Sequence, residues 1–351
     1  MKRTIRGITL AICAAIGLGA LAGCGGSPQG GATPSTQPEG GKIVLTDMVG
    51  REVTLEKAAE RVIGTHNPSM NMVIVLDGDG KRIVGFGNKD MAYGLYDKVA
   101  PEVNEVTSIG KGKNINMETV ASVQPDLMIL PKRMQDLQPK FEELNIPVII
   151  LDVEKFDSIK EALTLVGKAI GKEDRAQQIV KLYDEKVERI KGIAAKATDK
   201  PSVLMLSGSS MTGVSTDAML QNLMIETAGG TNATAGFASD SLWAEVNAEQ
   251  ILKWNPEVIY IPAYADYTVE DVLNNKDWSN VKAIKDKKVY QFPSALDPWD
   301  YPCASSMLGL CWIANNLHPD LYSQEDLMKD VDSFYQTVYE KTFTAEELGL
   351  K

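Results

Sequence analysis

The chain has 351 residues, 44% hydrophobic and 24% charged, the balance of an ordinary soluble globular protein. Asp and Glu number 47 against 36 Lys and Arg, giving a formal charge of −11. Such an acid excess argues against a nucleic-acid partner, which needs clustered Lys and Arg, and against a body lying flat on anionic lipid.

Lys2, Arg3 and Arg6 open the chain, and an uncharged apolar stretch over residues 8–21 follows. This run is shorter than the roughly 20 apolar residues of a membrane-spanning helix. It has the form of a secretory signal. Its end, Leu21-Ala22-Gly23-Cys24, resembles the lipobox of bacterial lipoproteins. That resemblance implies cleavage before Cys24 and a lipid anchor on its sulfur, so residues 1–23 are expected to be a signal peptide. A plain signal with an incidental cysteine is the alternative. Loss of the three N-terminal cations takes the formal charge to −14. Residues 24–41, nearly all Gly, Ser, Pro, Gln and Thr, read as a flexible tether. The expected location is extracytoplasmic, with the body lipid-anchored to the cell membrane.

Residues 42–351 are long enough for two domains. The spacing predicts a strand pair over 43–53, a strand over 62–65, a helix over 71–76 and a strand over 83–87. Asp77-Gly78-Asp79-Gly80 lacks the spaced oxygen ligands of a calcium loop and reads as a plain turn. A helix over 116–123, a strand over 127–130, a helix over 137–144 and a strand over 148–151 come next. Strands alternating with helices imply a parallel sheet. A helical stretch over 157–170 leads past Gly171 into a long amphipathic helix. Ala176, Ile179, Val180, Tyr183, Val187 and Ile190 recur along it at three- and four-residue steps, and Lys200-Pro201 is expected to stop it.

The alternation then resumes. A strand over 202–206 runs into Ser207-Gly208-Ser209-Ser210, and a helix over 218–228 closes on Gly229-Gly230. A helix over 247–254, a strand over 258–261, a short helix over 269–274 and a strand over 288–292 follow. A loop rich in Asp, Pro, Trp and Tyr leads to an apolar helix over 305–317 and a last helix over 331–343. The halves echo each other: Glu118 and Glu249 each stand near a helix start, seven residues before a Pro, an acid and an apolar strand. The expected fold class is α/β. Two Rossmann-like lobes with central sheets flanked by helices are joined by one long rigid helix, with a ligand cleft between them. The N-terminal lobe spans 42–156, the connecting helical segment 157–200, and the C-terminal lobe with its terminal helices 201–351.

Of four cysteines, Cys13 leaves with the signal and Cys24 is the lipid site. Cys303 and Cys311 on one helix would lie about 12 Å apart, too far for a disulfide. If Cys303 precedes the helix, a bridge stays open. The two histidines, His66 and His318, stand far apart, and no H-x-x-x-H or C-x-x-C spacing occurs, so no protein metal cage is expected. A P-loop, a G-x-S-x-G elbow and a G-x-G-x-x-G turn after a strand are all missing from the sequence. An enzyme is not expected, a surface hydrolase being the remote alternative, and no resident cofactor is expected either.

Four segments carry a family resemblance, together with the lipobox and the central helix. They are Thr46-Asp47-Met48-Val49-Gly50-Arg51-Glu52-Val53-Thr54, Gly110-Lys111-Gly112-Lys113-Asn114-Ile115-Asn116-Met117-Glu118, Gln124-Pro125-Asp126-Leu127, and Trp243-Ala244-Glu245-Val246-Asn247-Ala248-Glu249-Gln250-Ile251-Leu252. In order and spacing the chain resembles the helix-linked (class III) substrate-binding lipoproteins of ABC importers that serve iron-siderophore, haem and cobalamin uptake. The resemblance implies capture of such a metal complex and its delivery to an ABC permease/ATPase complex. It implies that Glu118 and Glu249 meet arginines of the permease; two solvated glutamates favoured by the helix dipole are the alternative. The same fold binding a small oxyanion such as molybdate or tungstate is the second reading of the ligand. A monomer is expected.

Open α/β sheets bind ligands at the carboxyl ends of their strands. The first lobe offers there His66, Asn67, Ser69, Lys89, Lys132 and Arg133, and the second offers Ser209, Ser210, Tyr264, Trp299 and Tyr301. His66, Asn67 and the serines suit an oxyanion. Lys132 and Arg133 suit any anion by charge-assisted bonds. Trp299 and Tyr301 suit a flat ligand. Each has a plainer alternative as a solvated loop residue or an aromatic packed on its own lobe.

Overall fold

The computed structural model describes residues 41–89, 94–237, 239, 241–293 and 296–350. The signal segment, most of the tether and Cys24 lie outside the described residues. Everything described belongs to one compact unit.

An antiparallel hairpin of β1 (Ile43–Thr46) and β2 (Glu52–Leu55) opens the body. Then come β3 (Val62–Gly64), α1 (Asn67–Asp77), β4 (Ile83–Phe86), α2 (Leu95–Val99), β5 (Thr107–Ser108) and the small hairpin β6 (Gly110–Lys111) and β7 (Asn114–Ile115). α3 (Met117–Ser122), β8 (Leu127–Pro131), α4 (Gln138–Glu142) and β9 (Val148–Leu151) complete the first sheet. Its five strands are parallel in the order β5-β4-β3-β8-β9. Every residue of β8 and β9 is buried, as expected of parallel strands covered on both faces.

Two packed helices follow, α5 (Phe156–Ile170) and α6 (Glu173–Ala194). Gly171 between them takes a left-handed φ of +69°, which lets the chain reverse without a β-carbon clash. β10 (Ser202–Met205), β11 (Gly213–Ser215), α7 (Leu220–Thr227), β12 (Thr231–Asn232) and β13 (Trp243–Glu245) lead into the second lobe. α8 (Ala248–Trp254), β14 (Val258–Ile261), α9 (Val269–Leu273), α10 (Lys282–Lys285) and β15 (Val289–Gln291) follow. The second sheet is parallel in the order β12-β10-β14-β15, while β11 and β13 form a separate antiparallel pair. α11 (Ser306–Leu317) and α12 (Gln324–Tyr339) close the chain.

α6 is the 22-residue spine. Its apolar stripe packs on α5, α11, α7 and α12. Tyr183 hydrogen-bonds Ser306 of α11 at 2.6 Å. Asp330 of α12 takes Lys186 and, at 2.7 Å, Arg189. The C-terminal segment also reaches the first lobe, where Asn71 of α1 donates to the Tyr339 hydroxyl at 3.2 Å and Lys98 pairs with Glu347 at 3.2 Å. Among the described residues, no helix is long and apolar enough to cross a membrane.

Several boundaries differ from those read in the sequence. α1 begins at Asn67 rather than 71, because Pro68 in the first turn starts a helix instead of breaking one. α6 ends at Ala194, ahead of Lys200-Pro201, where its apolar stripe runs out at Ile193. α12 runs over 324–339 rather than 331–343: Ser323 and Asp326 form a capping box at its start, and Glu340 adopts a left-handed φ of +54° at its end. The pairs β6–β7 and β11–β13 are too short to show a period. Cys303 precedes α11, and both it and Cys311 are buried free thiols.

Candidate ligand-binding site

In the first sheet, chain order reverses beside β3, since β4 and β5 lie to one side and β8 and β9 to the other. The second sheet reverses in the same way beside β10. The crevice outside the carboxyl ends at such a switch point is where open α/β sheets take ligands. His66 follows β3 and Arg133 follows β8; Tyr264 follows β14 and Tyr301 lies between β15 and α11. Together they line a cavity of about 330 Å³. The first lobe adds Thr65, Asn67, Pro68, Asn88 and Glu154 to its wall, and the second adds Met219, Gln221, Leu242, Trp243 and Pro302. A larger groove of about 610 Å³ beside Leu45 and Lys168 is open surface along α5, away from the strand ends.

His66 is the N-cap residue of α1, and Arg133 Nη1 lies 3.2 Å from its Nε2. A guanidinium only donates, so Nε2 accepts and the ring proton sits on Nδ1, facing Ser69 Oγ at 3.5 Å. Burial, reinforced by the Arg133 charge, pushes the His66 pKa down to about 3. The imidazole is therefore neutral, and Arg133 is the cation of this wall. Glu154, beyond β9, is held above the usual carboxylate range by burial and then by Asp152, with Arg133 opposing. Asn67 accepts from the Tyr96 hydroxyl at 2.7 Å.

On the facing wall the Tyr264 and Tyr301 rings tilt together, centroids 5.1 Å apart. Gly208 makes this possible, because a β-carbon there would stand 2.7 Å from the Tyr264 ring. Behind the rings, Asp300 is fully buried and accepts from the Tyr264 hydroxyl at 2.8 Å. Its backbone oxygen accepts from Gln221 Nε2 at 3.0 Å. Desolvation pushes the Asp300 pKa up to about 6, against the hydrogen bond from Tyr264.

His66, Asn67, Arg133, Tyr264 and Tyr301 thus meet in one cavity, and the other residues expected there stand outside its wall. Ser69 is buried behind His66. Lys89 turns its amine to the backbone oxygens of Asn104 and Val106. Lys132 pairs with Asp152 at 2.6 Å. Ser210 is held by Thr212 and Glu245 in a side-chain turn, and Ser209 is exposed. Trp299, expected to stack on a flat ligand, is instead fully buried and donates to the Tyr335 hydroxyl at 3.0 Å. Glu118 and Glu249 are both exposed, each at the second position of a helix whose N-cap is an asparagine, Asn116 and Asn247 respectively.

The reading of loops after strands missed several lining residues. Glu154 follows β9 directly and obeys the same rule that picks out Arg133. Trp243 opens β13 of the β11–β13 pair, with Leu242 just before it, and Gln221 lies in the first turn of α7, where nothing in the sequence marks it.

Two parallel sheets, a helical spine and a cavity at their switch points define a two-lobed binding protein. The chain belongs to the Periplasmic binding protein family, whose sequence pattern matches residues 62–296. It is 25% identical over 324 residues to the molybdate-binding protein MolA of Haemophilus influenzae, covering 86% of this chain and 92% of that one. It is 24% identical over 256 residues to the Fe(3+)-citrate-binding protein YfmC of Bacillus subtilis, covering 72% and 76%. Among solved structures, a periplasmic solute binding protein from Veillonella parvula superposes with a TM-score of 0.77 at 27% identity, covering 88% of this chain and 95% of that one.

Proposed function

We propose that this protein is the extracytoplasmic substrate-binding component of an ABC importer, tethered by lipid on Cys24, and that its interlobe cavity captures an anionic metal complex for delivery to a permease. Arg133 carries this reading: a cation at a switch point, beside a neutral His66 and opposite two tyrosines, in a cavity of about 330 Å³. Charge-assisted bonds from the guanidinium fit carboxylate or oxo groups on a metal. The volume favours an iron(III) chelate on the scale of ferric citrate. Haem and cobalamin are much larger and require the lobes to stand further apart. Among the relatives, one is named for molybdate and one for Fe(3+)-citrate, and both ligands are anions containing a metal. The second reading, a bare molybdate or tungstate ion, is favoured by the Arg133–His66 pair, which is compact enough to hold a tetrahedral oxyanion.

The test is thermal unfolding of the body from residue 42 against ferric citrate, an iron–catecholate complex, haem, cyanocobalamin, molybdate and tungstate. Ligand at about 100 times Kd adds roughly 2.7 kcal/mol of stability. Stabilisation by ferric citrate is expected. Stabilisation by molybdate and tungstate alone would install the second reading, and a response only to haem or cyanocobalamin would overturn both.

A further inference from the structure

Gln221 is 6% exposed and lines the cavity, and its amide orientation is fixed because Nε2 donates to the Asp300 backbone oxygen. The remaining atom, Gln221 Oε1, is buried without a hydrogen-bond partner among the described residues. Asp300 behind it repeats the pattern: Tyr264 holds Oδ2, while Oδ1 is fully buried and likewise without a partner. Buried acceptors are nearly always satisfied, and Gln221 Oε1, which lines the cavity, calls for a donor from whatever fills it, while Asp300 lies behind it and does not line the cavity. The carboxyl of Asp300, pushed up to about 6, is mostly ionised at neutral pH, which sharpens that demand.

We infer that Gln221, backed by Asp300, forms an acceptor subsite on the second-lobe wall that selects ligands carrying a hydrogen-bond donor. The cavity is then bipolar. Arg133 on the first lobe takes the anionic end of the ligand, and Gln221 takes a metal-bound water, a hydroxyl or an N–H at the other end. A chelate with protonated groups satisfies both walls. A bare oxyanion satisfies only the first and leaves Gln221 Oε1 unmet. This inference rests on the anionic-complex reading above and narrows it to donor-bearing chelates.

The test compares two probes at pH 7.5, ferric citrate prepared at a 1:1 iron-to-citrate ratio, whose donors are iron-bound waters, and molybdate, which carries no donor at that pH. Dissociation constants are measured by titration calorimetry for the wild type and Gln221→Met, which keeps the length of the side chain without an oxygen. Q221M is expected to weaken ferric citrate about tenfold, the scale of one lost hydrogen bond to a buried group, and to leave any molybdate affinity unchanged. A far-UV circular dichroism spectrum and a urea midpoint matching the wild type show that the variant is folded. Equal weakening of both probes, or of neither, would overturn the acceptor subsite while leaving the importer reading standing. Failure of the wild type to bind either probe would overturn the anionic-complex reading, and the subsite with it.

Discussion

At Asp300, burial and hydrogen bonding pull in opposite directions, and burial wins: the pKa rises to about 6 in the folded protein, against an ordinary carboxyl near 3.8. The folded state therefore binds a proton more readily than the unfolded chain. Stability associated with this group is fully present below pH 3.8 and is lost as pH rises through about 6. The shift corresponds to about 3 kcal/mol. Asp300→Asn removes it, so the stability of the wild type relative to D300N should fall by about that amount between roughly pH 4 and pH 6.5, as measured by urea unfolding at several pH values. A difference that stays flat across this range would refute the assignment. His66 acts in the reverse sense, since its depressed pKa makes stability fall as pH drops from about 6.5 toward 3. The comparison with D300N cancels that contribution. His66, Arg133 and Tyr264 were legible in the sequence because each sits just past a strand end, and Tyr301 because the loop between β15 and α11 is rich in aromatic residues. Which neighbour faces the cavity was not. Lys132 and Arg133 are adjacent, yet one pairs with Asp152 and the other enters the cavity. Trp299 and Tyr301 are two residues apart, yet one is core and the other lining. Side-chain direction in a loop is set by distant packing, which no local pattern reports.

At the scale of elements, the helices that carry Glu118 and Glu249 share one construction. Asn116 Oδ1 accepts from Thr119 N at 3.0 Å, and Asn247 Oδ1 accepts from Gln250 N at 2.9 Å. Each cap fixes the first turn and thereby holds an exposed glutamate at the second position. Asn116→Ala and Asn247→Ala should each cost about 1 kcal/mol, read from the urea midpoint at unchanged m-value. A loss well under that would mean that tertiary contacts, not the caps, define these helix starts. The halves were legible in the sequence because α3 and α8 repeat the same offsets to a proline and a buried strand. The ends of α1 and α12 were less so, because an apolar period only becomes visible a turn inside a helix, whereas Pro68 and the Ser323–Asp326 pair mark the true starts by their chemistry.

On the scale of the whole molecule, the cavity and the two exposed glutamates lie apart. The cavity lies at the strand ends, while Glu118 and Glu249 are exposed on helices that line none of it. The docking role that the resemblance implies for these glutamates predicts that reversing both charges, Glu118→Lys with Glu249→Lys, leaves the Kd for the ligand within about twofold while abolishing uptake in cells. Uptake at the wild-type rate would remove these residues from the docking role.

The ties from the chain's end to its first lobe bear on the order in which the molecule comes together. Tyr339 meets Asn71 across 268 residues of sequence, and Glu347 meets Lys98 across 249. α1, buried along nearly its whole length, is covered in part by α12. A chain emerging N-terminus first therefore holds its first lobe unfinished, with apolar surface uncovered, until almost the last residue is available. Contacts this distant in sequence slow folding, because a long loop must close before they form. The core cluster between Ile63 and Ile150 is complete within the first lobe, so what waits for the C-terminus is the cover over α1.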